Sequence, residues 1–140
     1  MTPILVERGQ RGVMLLEALI GILIFSVGIL AMIALHALAI GYTADAKYRS
    51  DASFLASELI GQIWVDLPNQ GNYVYPGGTS WGVANWVTKV NNTLPGSGGA
   101  NAPTVVVDVA TGQVDITLRW QPPNADGIRS YRAIARVSNP

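Results

Sequence analysis

Between Glu17 and Asp45 this chain carries no Asp, Glu, Lys or Arg. No other feature restricts the possible folds as tightly. A helix needs about 20 mainly apolar residues to cross a hydrocarbon layer roughly 30 Å thick. Residues 18–40 supply that length, with Ser26 and His36 as the only polar side chains among them. A helix buried in a water-soluble core rarely runs so far without a charge. The stretch therefore predicts the membrane half of a helix over residues 13–44. It is longer than the apolar core of about 7–15 residues found in a secretory signal. Arg8 and Arg11 precede it. Basic residues stay on the cytoplasmic side, which predicts a cytoplasmic N-terminus and a C-terminal domain across the membrane. Gly21 and Gly28 share one helical face with Glu17 and Ile24, at about 100° per residue. Small residues let membrane helices approach closely, so this stripe predicts a packing face. His36 reads as a packed or interfacial side chain with no assigned role.

At Asp45 the pattern changes. Tyr48, Ala52, Leu55, Leu59, Ile63 and Leu67 recur at spacings of three or four, with Asp45, Lys47, Arg49, Asp51, Glu58 and Asp66 between them. That period predicts an amphipathic continuation of the helix over residues 45–67, one face packed on a folded domain. Pro68 ends it, since proline lacks an amide and biases Leu67 away from helix. Residues 68–82 read as a loop whose Tyr73, Tyr75 and Trp81 cover a small core. Val83, Trp86, Val87, Val90 and Leu94 share a face and predict a short helix over residues 83–94, stopped by Leu94-Pro95-Gly96. Gly96-Ser97-Gly98-Gly99 lacks the strand, lysine and following helix of a phosphate cradle and reads as a flexible turn. Residues 104–109, then Val114 to Trp120 in strict alternation, then residues 130–137 read as strands, with a turn at Thr111-Gly112 and a loop at 122–127. The expected class is α+β: a long N-terminal helix packed on a small antiparallel sheet of three or four strands, with residues 68–140 forming the head.

The residue inventory narrows the chemistry. The chain has no cysteine, so neither a disulfide nor a cysteine metal site can form. Its one histidine lies in the apolar run, so no Ser-His-acid set can be assembled. The carboxylates outside that run are scattered. We expect no catalysis, no metal and no cofactor. Formal net charge is zero, which gives no general argument for nucleic acid or anionic lipid. Arg119, Arg129, Arg132 and Arg136 gather near the C-terminus with only Asp126 nearby in sequence. A solvated sheet face is the expected reading, with subunit contact or DNA capture as lesser alternatives.

The residues at the head of the apolar run carry a resemblance. A polar leader with Arg8 and Arg11 is followed by Gly12, then Val13-Met14-Leu15-Leu16, then Glu17, then the apolar helix. This order resembles the class III signal of type IV prepilins and pseudopilins. The resemblance implies that residues 1–12 are a leader, removed or disordered. It implies that a prepilin peptidase cuts between Gly12 and Val13 and methylates the new amine of Val13. Glu17 would then take the place of the family's assembly acid. The order Trp86, Leu94-Pro95-Gly96, glycine-rich turn and a strand ending in Trp120 is similar to the PilV-type minor pilins, as is Val27-Gly28-Ile29-Leu30. That resemblance implies a pilin-like fold and a minor pilin of a type IV pilus, supporting assembly, twitching motility and adhesion. Implied partners are the prepilin peptidase, other minor and major pilins, the inner-membrane assembly platform and membrane lipid. The implied location is the inner membrane, then the fibre. Two alternatives remain: a minor pseudopilin of a type II secretion system, and a single-pass membrane protein whose outer domain binds a partner without assembling.

Overall fold

A computed structural model describes residues 10–123 and 126–137. Most of the leader, with Arg8, and two residues of the loop at 122–127 lie outside the described residues. The order of elements is α1 (Gln10–Val65), α2 (Trp81–Thr93), β1 (Thr104–Asp108), β2 (Gln113–Trp120) and β3 (Arg129–Arg136), with short 3-10 turns at Leu67–Tyr73 and Gly99–Asn101. The chain divides into two compact units, Met1–Tyr42 and Thr43–Pro140.

In the first unit α1 is solvent-facing on every side from Gly12 to Tyr42. Its leucines, isoleucines and valines lie 43% or more exposed, far from the burial such residues reach in a core. Among the described residues α1 is the one helix long and apolar enough to cross a membrane. Ser26 donates its hydroxyl to the Ile22 carbonyl at 2.7 Å, so the polar group is satisfied within the helix itself. That is what a lipid environment requires.

The second unit holds the core. Ala52, Leu55, Ala56, Leu59 and Ile63 of α1 are buried, while Tyr48 and Leu67 pack partly against the core, as their helical spacing predicts. The helix stops at Val65, two residues before the expected end at Leu67. The Asp66 amide splits its hydrogen bond between the Gln62 and Ile63 carbonyls, and Asp66 then leaves the helical region. Its carboxylate accepts from Asn69 Nδ2 at 2.8 Å and from the Tyr73 hydroxyl at 3.1 Å. The segment expected as loop is therefore largely ordered: a 3-10 turn, then Tyr75 bridged to Val105 by two backbone hydrogen bonds of 2.9 and 2.8 Å.

α2 begins where the Ser80 hydroxyl accepts from the Gly82 amide. Val83, Trp86, Val87, Val90 and Leu94 are all buried. Trp86 Nε1 donates to the Leu55 carbonyl at 2.8 Å, and three residues on, Lys89 Nζ meets the Glu58 carboxylate at 2.7 Å. Residues three apart on each helix face the same way, so the two contacts fix α2 against α1 at both depth and rotation. The glycine-rich segment forms a turn that hydrogen bonds tie to the end of α2. Ser97 is buried and its hydroxyl donates to the Leu94 carbonyl at 2.8 Å, with Asn91 Oδ1 at 3.2 Å. Gly96 sits at φ +65°, the left-handed value that ends a helix at little cost only for glycine.

The sheet has three antiparallel strands in the order β1-β2-β3. Val114, Ile116, Leu118 and Trp120 point into the core, alternating with the half-exposed Asp115, Thr117 and Arg119. Opposite them on β3 lie Ala135, Ala133 and Tyr131. Val114 and Ile116 thus lie beside small alanines on β3, and Leu118 beside the larger Tyr131.

Candidate functional site

The residues singled out at the head of the chain fall on the first unit of α1. Gly12 and Val13 are both helical and both exposed. Glu17 is one turn further on and exposed, and among the described residues it has no ion-pair partner within this chain. A Cβ built on Gly21 or Gly28 meets nothing within 4 Å. Glu17, Gly21, Ile24 and Gly28 therefore form an open stripe on a continuous helix, available to a second helix. His36 is exposed on the same helix and keeps no assigned role.

Arg129, Arg132 and Arg136 are exposed on β3, as a solvated sheet face requires, and each of the four arginines has a polar partner. Arg132 forks onto Asp115, with Nε 2.9 and 3.1 Å from its two oxygens and Nη2 closer still. Its guanidinium holds the Asp115 carboxyl below the usual carboxylate range, against the opposing effect of burial. Arg136 donates to the Thr111 carbonyl at 2.9 Å and Arg119 to the Ala102 carbonyl at 3.4 Å. Arg129 meets Asp45 at 3.5 Å. Asp126 is thus not the acid that balances them. The hairpin between β1 and β2 is closed separately. The Asp108 carboxylate accepts from the Thr111 hydroxyl at 2.7 Å and from the Ala110 and Thr111 amides, which hold its pKa low.

Two concave sites in the second unit escaped the sequence reading. The first, of about 210 Å³, is lined by Asp45, Ala46, Arg49, Trp120, Arg129 and Ser130. Asp45 and Arg49 are four apart on α1, and Trp120 ends β2 directly opposite Arg129, which begins β3. Trp120 is 3% exposed, and its Nε1–H has no hydrogen-bond acceptor among the described residues. The only advance signal was the four-residue spacing of Asp45 and Arg49. The second site, of about 470 Å³, lies between Asp66, Asn69, Tyr73, Ser80 and Trp81. The Tyr73 hydroxyl has its pKa raised, chiefly by burial. Trp81 does not cover the core as expected but stands 80% exposed at the start of α2. Tyr73 and Tyr75 do pack on the core.

Among the described residues no group of three His, Cys, Asp or Glu side chains is placed to hold a metal ion. No family model, curated protein or solved structure matches this chain.

Proposed function

We propose that this chain is a minor pilin of the PilV type, processed at the Gly12–Val13 bond and built at low copy into a type IV pilus or its priming complex. The observation that carries the reading is one juxtaposition. A glycine, four apolar residues and a glutamate stand at the head of α1. The helix after them is apolar and open on all sides as far as Tyr42, then packs one face on a small α+β domain. The first part suits lipid and later a bundle of like helices, so its apolar surface stays out of water throughout. An ionised side chain within the bilayer costs about 2.5–3.5 kcal/mol on insertion scales. A freed Val13 amine offsets that cost for Glu17, from the same helix at four residues' distance or from a staggered neighbour. Gly21 and Gly28 on the same stripe admit that neighbour closely.

On this reading the partners are prepilin peptidase, the other pilins and the inner-membrane assembly platform, and the chain is not an enzyme. Its N-terminus faces the cytoplasm before cleavage and its head the periplasm. Support for pilus assembly, twitching motility and adhesion follows from incorporation. Intact mass and N-terminal sequencing of the native product test it, together with shearing of surface fibres. A product beginning at methylated Val13 and present in sheared fibres is expected. A product that keeps residues 1–12 and stays in the membrane fraction refutes the reading. Processed protein found in a secretion complex, and not in fibres, assigns it instead to the pseudopilins of type II secretion.

A further inference from the structure

We infer that the cavity at the start of α2 binds a neutral saccharide ring, stacked on Trp81 and held by hydrogen bonds to Asp66, Asn69 and Asn72. The cavity measures about 470 Å³ and lies wholly within the second unit. Small-molecule sites span about 300–1,000 Å³. Trp81 forms part of the wall and stands 80% exposed, although tryptophan is mostly buried in folded chains. Hydrogen bonds bring the polar groups of the wall together. The Asp66 carboxylate accepts from Asn69 Nδ2 at 2.8 Å and from the Tyr73 hydroxyl at 3.1 Å, one bond to each oxygen. Each oxygen keeps a further lone pair. Asn72 is exposed, and its side-chain amide makes no hydrogen bond among the described residues. The backbone behind these groups is tied down. The Asn69 amide bonds the Asp66 carbonyl at 3.0 Å, and the Ser80 amide bonds the Asn72 carbonyl at 3.1 Å. The Ser80 hydroxyl accepts from the Gly82 amide at 3.2 Å, which anchors the residues on both sides of Trp81. A site set before its ligand arrives loses less entropy on binding.

The chemistry of the wall selects the ligand. A pyranose presents a face of C–H groups and a rim of hydroxyls. The C–H face suits the negative face of an indole ring. Hydroxyls both donate and accept, which matches a carboxylate beside two carboxamides. Asp66 is the one charged side chain among the lining residues, so an anionic ligand is repelled. Ammonium ligands are held in cages of several aromatic rings. Of the two rings here, Tyr73 is buried and Trp81 exposed. A second hollow of about 460 Å³ shares Asp66 and Tyr73 with the first and is lined also by Gln62 and Val65 of α1. The pair leaves room for a second sugar unit. Use of the site in adhesion rests on the proposed function, while binding of the sugar does not.

The test uses the full chain in a polyoxyethylene detergent, because glucoside and maltoside detergents would compete for the site. The probes are methyl glycosides of glucose, galactose, mannose, N-acetylglucosamine and N-acetylgalactosamine, with tetramethylammonium as the cationic probe. Saturation-transfer NMR follows each. At least one glycoside is expected to take up saturation at its ring C–H protons. Trp81→Ala should abolish the transfer, and Asn72→Ala should weaken binding about fivefold, the loss of one hydrogen bond. Phe54→Ala removes an exposed ring outside both hollows and should change nothing. Trp81 and Asn72 are exposed, so their variants should keep the native thermal midpoint, which ties lost binding to lost contacts. Saturation of no glycoside, or saturation that persists in Trp81→Ala, overturns the inference. Binding of tetramethylammonium alone overturns it too and makes the hollow a cation site. Each of these results leaves processing at Gly12–Val13 and recovery in fibres untouched.

Discussion

Trp86 shows how much one side chain can fix. It is 2% exposed, fills the space between α2 and the core, and spends its only polar hydrogen on the Leu55 carbonyl. Trp86→Phe keeps most of the volume and loses the hydrogen bond, with an expected cost of about 0.5–1.5 kcal/mol. Trp86→Ala opens a cavity as well and should cost about 3–5 kcal/mol. Urea midpoints at equal m-values measure both, and equal costs for the two variants would refute a role for the hydrogen bond and the packing as separate terms. Glu17 is the opposite case, a residue whose value lies outside its own chain. Glu17→Ala should leave the unfolding of the second unit unchanged, because that core begins at Ala52. On the proposed function it should lower recovery in sheared fibres at least tenfold, the effect of leaving a buried amine unpaired. Glu17→Gln should not rescue it. Normal recovery of either variant removes Glu17 from assembly.

Among the elements, the sheet depends on how its two edges are held. The outer edge of β1 is capped by the Tyr75 bridge to Val105, and the chain leaves that bridge through a tight turn in which the Gly78 amide bonds the Val74 carbonyl at 2.8 Å. A Cβ on Gly78 would overlap the Val74 and Asn72 carbonyl oxygens, both backbone atoms that cannot swing aside. Gly78→Ala should therefore destabilise by about 1–3 kcal/mol and speed hydrogen exchange at the Tyr75 and Val105 amides first. Protection unchanged there would show that the turn yields. β2 and β3 are tied by Asp115 and Arg132. The folded carboxyl of Asp115 titrates below its unfolded value of about 3.9. Its stabilisation is complete above that value and is lost as pH falls through the folded one. Asp115→Asn should cost about 0.5–1 kcal/mol near neutral pH, with the difference from the native chain closing as pH falls through the lowered folded pKa. A gap that stays constant with pH assigns the cost to something other than the ion pair. These elements were legible in sequence to different degrees. The buried faces of α1 and α2 and the alternation in β2 follow from periods of 3.6 and 2, which local sequence carries. The stripe from Glu17 to Gly28 follows from the same repeat. Which acid each arginine meets depends on strand register and on helix placement, so the pairing of Arg129 with Asp45 had no local signal. The exposure of Trp81 and the burial of Ser97 likewise depend on where a turn places them, and composition alone pointed the other way for both.

The molecule as a whole separates two tasks that share one helix. Among the described residues every buried hydrophobic residue lies between Ala52 and Val137, and none lies in the first unit. The hydrophobic effect that folds the head therefore draws nothing from the apolar run. The run in turn leaves its surface open, and on the proposed function that surface meets lipid or other helices, where α-helical backbone needs no outside partner. A chain of residues 43–140 should fold alone and remain soluble. Its new helix start is favourable: Thr43 can cap the exposed amides, and Asp45 falls in the first turn, where a negative charge opposes the helix dipole. The truncated chain should unfold in one cooperative transition, keep the near-ultraviolet signal of its buried tryptophans, and lie within about 1 kcal/mol of the full chain in detergent. Fraying should stop before Tyr48, the first residue that packs against the core. A truncated chain with helical far-ultraviolet signal but no near-ultraviolet signal would be a loosely packed state. That result would mean that the apolar run stabilises the head, and the separation of the two tasks would fail.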